Sequence, residues 1–315
     1  MNDSVLSLTN VSKSYGGKPA VIDLDFTIAP HSITGFLGPN GAGKSTSIRM
    51  GLGILSPDHG EVRLFGQKPN YKMLDRVGFL PEERGLYRKM KVLAVIAHFA
   101  RLKGMSAAAA KKNGLALLEQ FGLGDVAYKK VRELSKGMAQ KVQIIAAIVH
   151  EPEFIILDEP FSGLDPVNQQ TLEDRIRSLA KTGTTILFST HVMEHAERLC
   201  DKIILLAGGR KIFDGGVDEA LATVPNSVIL ETGKDDDLAT ALGQLAKTIH
   251  RLPDSLETTS NWSVDLNNKV DVQDVLRACV NNKLSLHSFE PARRHLHDVF
   301  VHLVADDKNQ TKGAN

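Results

Sequence analysis

The chain has 315 residues, 42% of them hydrophobic and 24% charged, with 38 Lys and Arg against 37 Asp and Glu for a net charge of +1. That length makes about two domains, and the composition excludes a disordered, collagen-like or coiled-coil chain. The charge balance excludes nucleic acid held by phosphate neutralisation, and it excludes a polybasic membrane-surface protein.

Residues 21–28 place Ile22, Leu24, Phe26 and Ile28 on one face and Asp23, Asp25 and Thr27 on the other. This period of two predicts a half-exposed antiparallel strand, with residues 6–8 and 62–64 as its neighbours. Residues 33–37, 154–157, 185–188 and 203–206 are short and almost wholly apolar. Parallel strands covered by helices on both faces have this texture. Helical stretches at 45–52, 167–181 and 193–199 alternate with them. Residues 88–150 read as helix only, at 92–103, 106–121 and 138–149, with Ser106 as an N-cap. The expectation for residues 1–221 is therefore an α/β domain with a small antiparallel sheet and a helical insertion.

After Gly215-Gly216 the elements shorten and polar loops appear. The order expected there is strand 228–231, helix 235–247, strand 262–266, helix 271–281, strand 284–289 and helix 295–304. We read residues 222–305 as a small α+β domain and 306–315 as a loose polar tail. Apolar runs reach roughly six residues, against the ~20 that cross a bilayer. The first residues, Met-Asn-Asp-Ser, have neither the basic nor the apolar region of a signal peptide. The two cysteines, Cys200 and Cys279, have no metal-ligand spacing, and reducing cytosol fits them best.

The segment from Gly38 to Thr46 matches GxxxxGK[ST] between an apolar strand and a helix. Gly38, Asn40, Gly41 and Gly43 form a loop whose N–H groups can converge on phosphate oxygens, as can those of Lys44, Ser45 and Thr46. The Lys44 ammonium reaches the β- and γ-phosphates, and Ser45 offers a hydroxyl to Mg²⁺. Strand 154–157 ends in Asp158 and Glu159. A buried strand ending in two acids needs a partner for their charge. Asp158 would orient water on Mg²⁺, and Glu159 would act as the base that activates water. His191 follows strand 185–188 at the same sheet edge, where it either hydrogen-bonds the γ-phosphate or lies on the surface opening the next helix. A zinc site at His191 and His195 fails for want of a glutamate placed as in HExxH.

Leu134-Ser135-Lys136-Gly137-Met138-Ala139-Gln140 opens a helix shortly before Asp158. It resembles the LSGGQ signature of ATP-binding-cassette proteins. Tyr15, the loop from Gly38 to Thr46, Asp158-Glu159, Ser162-Gly163-Leu164-Asp165 and Ser189-Thr190-His191 occur in that family's order over residues 5–220. The C-terminal segment from Leu296 to Val301 is similar to the extra domain of a bacterial subfamily that includes sodium-exporter-type ATPases. The resemblance implies an ATPase using ATP and Mg²⁺, with Tyr15 stacked on adenine. It also implies a head-to-tail homodimer in which Ser135 and Gly137 of one copy close over nucleotide held by the other. A separate membrane permease would be the partner, with the chain cytoplasmic and peripheral on the inner face of the membrane.

Two departures stand out. Glu82 occupies the position of the family's Q-loop glutamine, and Lys136 and Met138 replace a signature glycine and glutamine. For Glu82, metal contact and a swung-away pairing with a neighbour such as Arg84 are both open. The rival readings are a soluble cassette ATPase acting in repair or translation, a phosphate-loop kinase, and a nucleotide-gated scaffold.

Overall fold

The computed structural model describes residues 4–83, 85–253, 258–267 and 270–312, with side chains through residue 305. Two compact units result, one of residues 1–217 with 307–315, the other of residues 218–306.

The first unit opens with β1 (Leu6–Tyr15), β2 (Lys18–Ile28), β3 (Ile33–Leu37), α1 (Lys44–Gly51) and β4 (His59–Leu64). An antiparallel sheet in the order β2-β1-β4 makes β1 the central strand, so residues 62–64 pair with β1 and not with β2. The alternation expected in β2 breaks at Asp23, which has left-handed backbone (φ 43°). Its N–H donates to Ser12 Oγ at 2.9 Å, and the register against β1 slips between Lys13–Val21 and Val11–Leu24. One extra residue at this bulge moves the face, so Val21, not Ile22, is buried with Leu24, Phe26 and Ile28.

The rest of the unit runs β5 (Val77–Leu80), α2 (Val92–Leu102), α3 (Ala107–Gln120), α4 (Lys136–Ile148), β6 (Phe154–Asp158), α5 (Pro166–Lys181), β7 (Thr185–Thr190), α6 (Met193–Leu199), β8 (Lys202–Ala207) and β9 (Arg210–Gly216). These strands and β3 form a six-stranded sheet, β5-β6-β7-β3-β8-β9, parallel except for β9. Every residue of β3, β6 and β7 is buried, as continuous apolar runs require when helices cover both faces. In this register Leu37 lies opposite Thr190 and Asp158 opposite Ser189, so the carboxyl ends of three central strands meet at one edge. Ligands of open α/β sheets bind at such an edge. The α/β class expected from the sequence holds.

The second unit begins within α7 (Val217–Leu221) and continues through β10 (Ser227–Gly233), α8 (Leu238–Leu242), β11 (Ala246–Leu252), β12 (Thr259–Leu266), α9 (Val272–Asn281) and β13 (Leu286–Ala292) into α10 (Leu296–Lys312), of which it holds the residues through Asp306. Its antiparallel sheet has the order β11-β12-β10-β13, which is the split β-α-β-β-α-β arrangement of ferredoxin-like domains. Val228, Leu230, Val264 and Leu266 pack with Leu238 and Leu242 of α8 and with Val275 and Cys279 of α9. Two expectations need correction here. The helix expected over 235–247 ends at Leu242, where Gly243 takes positive φ (49°), and residues 246–252 are the edge strand β11. The stretch expected to be a loose tail continues α10 as helix to Lys312.

Candidate functional site

The loop between β3 and α1 is shaped by positions where only glycine fits. Gly43 has φ 99°, and a Cβ there would meet the Ala20 carbonyl oxygen at 2.7 Å; one at Gly38 would meet that of Leu206 at 2.4 Å. Gly41 also has positive φ (81°), and it lies exposed with Asn40 at the crest of the loop. Gly43 stands at the N-cap of α1 with no side chain to occupy the helix end. The first N–H groups of the helix therefore point into the loop, where they favour an anion.

Lys44 is buried and folds back over this loop. Its Nζ donates to Gly38 O at 2.7 Å and to Pro39 O at 3.3 Å, and lies 3.8 Å from Glu159 Oε1. The half-buried Ser45 and Thr46 follow on the first turn. Among the described residues the Ser45 hydroxyl makes no hydrogen bond. Asp158, buried at the end of β6, accepts from the Ser189 hydroxyl. A hydroxyl and a carboxylate at one edge are hard oxygen donors of the kind Mg²⁺ takes, so these residues fit the metal that a phosphate-loop site uses.

Glu159 is buried and has left-handed backbone (φ 49°), an uncommon state for a residue with a side chain. The turn is held by its N–H, which donates to Ser189 O at 3.1 Å and to Ser189 Oγ at 3.2 Å. The side chain is thereby aimed at Lys44 and at His191, whose Nδ1 lies 3.0 Å from Glu159 Oε1. A buried carboxylate, an ammonium, a half-exposed imidazole and an anion-seeking helix end thus converge. The arrangement can hold polyphosphate and take a proton from water beside it.

The remaining candidates lie as follows. Tyr15 is the last residue of β1, paired with Lys18 across the Gly16-Gly17 turn, so it belongs to a strand. It is half-exposed, and Ala20, which crowds Gly43, lies only two residues beyond its partner. Glu82 is exposed just past β5, at the same edge of the sheet as Asp158. Its pairing with Arg84 falls outside the described residues. Ser135 is the N-cap of α4, accepting from Met138 N at 3.2 Å, and Lys136 is exposed. A Cβ at Gly137 would lie 3.8 Å from Asn168 Nδ2. Asn168 belongs to α5, whose N-cap Asp165 it meets through both its N–H and its side-chain amide. Those donors, the backbone one foremost, hold the Asp165 carboxyl below the usual carboxylate range.

The structure brings Lys44, Asp158, Glu159 and His191 to one point. Ser135 and Gly137 have no hydrogen bond to the phosphate loop among the described residues. Sequence reasoning assigned no role to Ser189, which holds Asp158 and Glu159, or to buried Gln140, whose Nε2 donates to Pro160 O at 3.0 Å. Both lie inside recognised motifs, but their partners are set by strand register and helix packing.

The family model described as ABC transporter matches residues 21–162. The "Uncharacterized ABC transporter ATP-binding protein YhaQ" of Bacillus subtilis is 39% identical over 95% of this chain and 98% of its own length. "Nod factor export ATP-binding protein I" of Paraburkholderia xenovorans is 38% identical over 84% of this chain and 88% of its own. Among solved structures, an "ATP binding subunit of ABC transporter" is similar with a TM-score of 0.64 and 30% identity, over 70% of this chain and 93% of that one.

Proposed function

The chain belongs to the ATP-binding proteins of ABC transporters, which are ATPases coupled to transport, and we propose that it hydrolyses ATP at the Lys44–Glu159–His191 site to drive a separate membrane permease. The observation that carries this reading is the buried Glu159 carboxylate, fixed by left-handed backbone between the phosphate-loop lysine and an imidazole.

In this reading Lys44 exchanges the Gly38 and Pro39 carbonyls for phosphate oxygens, and the N–H groups from Gly41 to Thr46 surround the phosphates. Glu159 accepts a proton from the attacking water. His191, held through Nδ1, orients that carboxylate and offers its other nitrogen to the γ-phosphate. Ser45 and Asp158 would hold Mg²⁺, with Glu82 supplying a further oxygen, and the ion would neutralise phosphate charge. Tyr15 stacks on adenine. A second copy of the chain supplies Ser135 and Gly137 to close the nucleotide in a head-to-tail homodimer. Residues 1–221 form the ATPase domain and residues 222–305 an accessory domain.

No helix among the described residues is long and apolar enough to cross a membrane. In this reading transport acts through a partner, which would hold this chain at the inner face of the membrane. An apolar groove of about 320 Å³ lies beside the Glu82 loop, lined by Phe79, Leu80, Leu86, Phe99 and Leu102, and it suits an apolar segment of the permease. ATP binding that favours the closed dimer would move this partner between states by differential affinity. The export named for the Nod factor relative supports an exporter. The test is co-purification from detergent-solubilised membranes. The tagged chain is expected to carry a polytopic membrane protein, and Phe99→Asp with Leu102→Glu to lose it. Retention of that protein by the double variant overturns the groove.

A further inference from the structure

Glu173 of α5 is almost completely buried, at 1% exposure. A carboxylate that deep requires partners. Its Oε1 accepts from Arg198 Nη2 at 2.8 Å and Arg198 Nε at 3.2 Å and lies 3.0 Å from His195 Nδ1, which Arg198 Nη2 also meets at 3.1 Å, whereas Oε2 has no hydrogen-bond partner among the described residues. Both partners lie on α6, so the carboxylate fixes that short helix and sets the plane of the His195 ring. The ring is itself buried, and it stacks on Phe161 with centroids 4.0 Å apart and planes inclined by 17°. Phe161 in turn meets Phe188 of β7 edge-on at 5.8 Å. The Phe161 side chain is therefore confined between an aromatic edge and an imidazole face.

Phe161 stands two residues after Glu159, in a turn closed by Ser162 N to Glu159 O at 3.2 Å. The other end of the same turn is met by His191, which contacts the Glu159 carboxylate directly and precedes α6. Two imidazoles at the start of one helix thus hold both ends of the segment that keeps Glu159 left-handed. Only one of them touches Glu159.

We propose that the Glu173–His195 pair is a positioning device for Glu159, acting through the face of Phe161. This rests on the reading of Glu159 as the base. Loss of the ring frees Phe161, and the strained turn at Glu159 then relaxes toward ordinary backbone, taking the carboxylate out of line with water. Nucleotide binding, which Lys44 and the loop N–H groups supply, is untouched. The effect falls on kcat and not on ATP affinity.

The test uses the full-length chain, with hydrolysis followed in single and multiple turnovers and ATP affinity by equilibrium titration. His195→Ala is expected to lower kcat at least tenfold with affinity within twofold. His195→Gln keeps a donor for Glu173 without a ring, so it carries the same expectation should the alanine variant misfold. The pair Glu173→Gln with His195→Phe restores a flat ring beside a neutral partner and is expected within threefold of wild type. In a Glu159→Gln background, His195→Gln should lower the residual rate no further, because the two act in series. An equal loss in that background, or a folded His195→Gln protein with unchanged kcat, overturns the positioning role. Wild-type hydrolysis by Glu159→Gln alone overturns instead the reading of Glu159 as base.

Discussion

The Gln140 side-chain amide donates to the Pro160 carbonyl at 3.0 Å, tying α4 to the residue that follows Glu159. The contact is buried, and the helix that carries it opens with Ser135 and Gly137. The segment proposed to close nucleotide on a second copy is therefore mechanically joined to the base of its own chain. Gln140→Leu keeps the volume but leaves the Pro160 carbonyl without a donor. A loss of about 1–3 kcal/mol in stability is expected, the usual cost of an unsatisfied buried group. Chemical denaturation checks it, with the hydrolysis rate expected to fall in parallel.

Gly43→Ala places a methyl against the Ala20 carbonyl at 2.7 Å in backbone that side chains rarely adopt. Gly41→Ala meets no atom within 4 Å, although its φ is also positive. Strain of this kind costs of order 1–3 kcal/mol, and only Gly43 adds a collision with backbone. ATP titration should show affinity nearly abolished in Gly43→Ala and reduced by less than tenfold in Gly41→Ala. Equal losses would mean that conformation alone governs the loop.

Tyr15 ends a strand with a half-exposed ring, and its partner Lys18 lies two residues before Ala20, which crowds Gly43. Stacking accepts any base, so GTP should compete with ATP within about tenfold. Tyr15→Ala is expected to weaken both nucleotides alike. A variant that loses stability and keeps its nucleotide affinity would make the ring a cover for the antiparallel sheet.

The central strands, the helices that alternate with them and the phosphate loop were legible because each has a local cause: an apolar run, a period or a glycine spacing. The strands missed are those whose sequence points elsewhere. Val77-Gly78-Phe79-Leu80 contains a glycine that suggests a turn, yet a Cβ at Gly78 would meet the Ala147 carbonyl at 2.3 Å. The glycine lets α4 pack directly on β5. β9 and β11 are edge strands of mixed polarity, and β9 ends in the glycine pair after which the composition shifts. At the candidate site, residue types pointed to Lys44, Asp158 and Glu159, which the structure brings to one edge of the sheet. Only strand register shows that Ser189 holds both acids. His195 looked like a failed zinc ligand because its partner, Glu173, lies on another helix and its ring contact on another loop.

His150 offers a test in solution pH. Burial foremost, and then the nearby Lys103 ammonium, push its imidazole down to about 4 from the ordinary 6.5, while Nε2 meets Val77 O at 3.2 Å. The unfolded chain takes up this proton near 6.5 and the folded chain only near 4. Between those values the unfolded state binds more protons, so stability falls as pH falls. His150→Gln keeps a donor for Val77 and removes the titration. Denaturation midpoints from pH 7 to pH 4 should therefore fall less steeply in the variant, and parallel slopes would contradict the burial of a neutral imidazole.

The account rests on Glu159 as the base of an ATPase that closes on a second copy of itself. Sedimentation velocity of Glu159→Gln with saturating ATP and Mg²⁺ tests it most directly, paired with the hydrolysis rate of the same sample. Loss of a general base is expected to slow turnover by ~10²–10⁴ and leave binding intact. A stable dimer retaining one unhydrolysed ATP per chain is the predicted result, dispersing to monomer when nucleotide is removed. A monomer that hydrolyses ATP at the wild-type rate would contradict it.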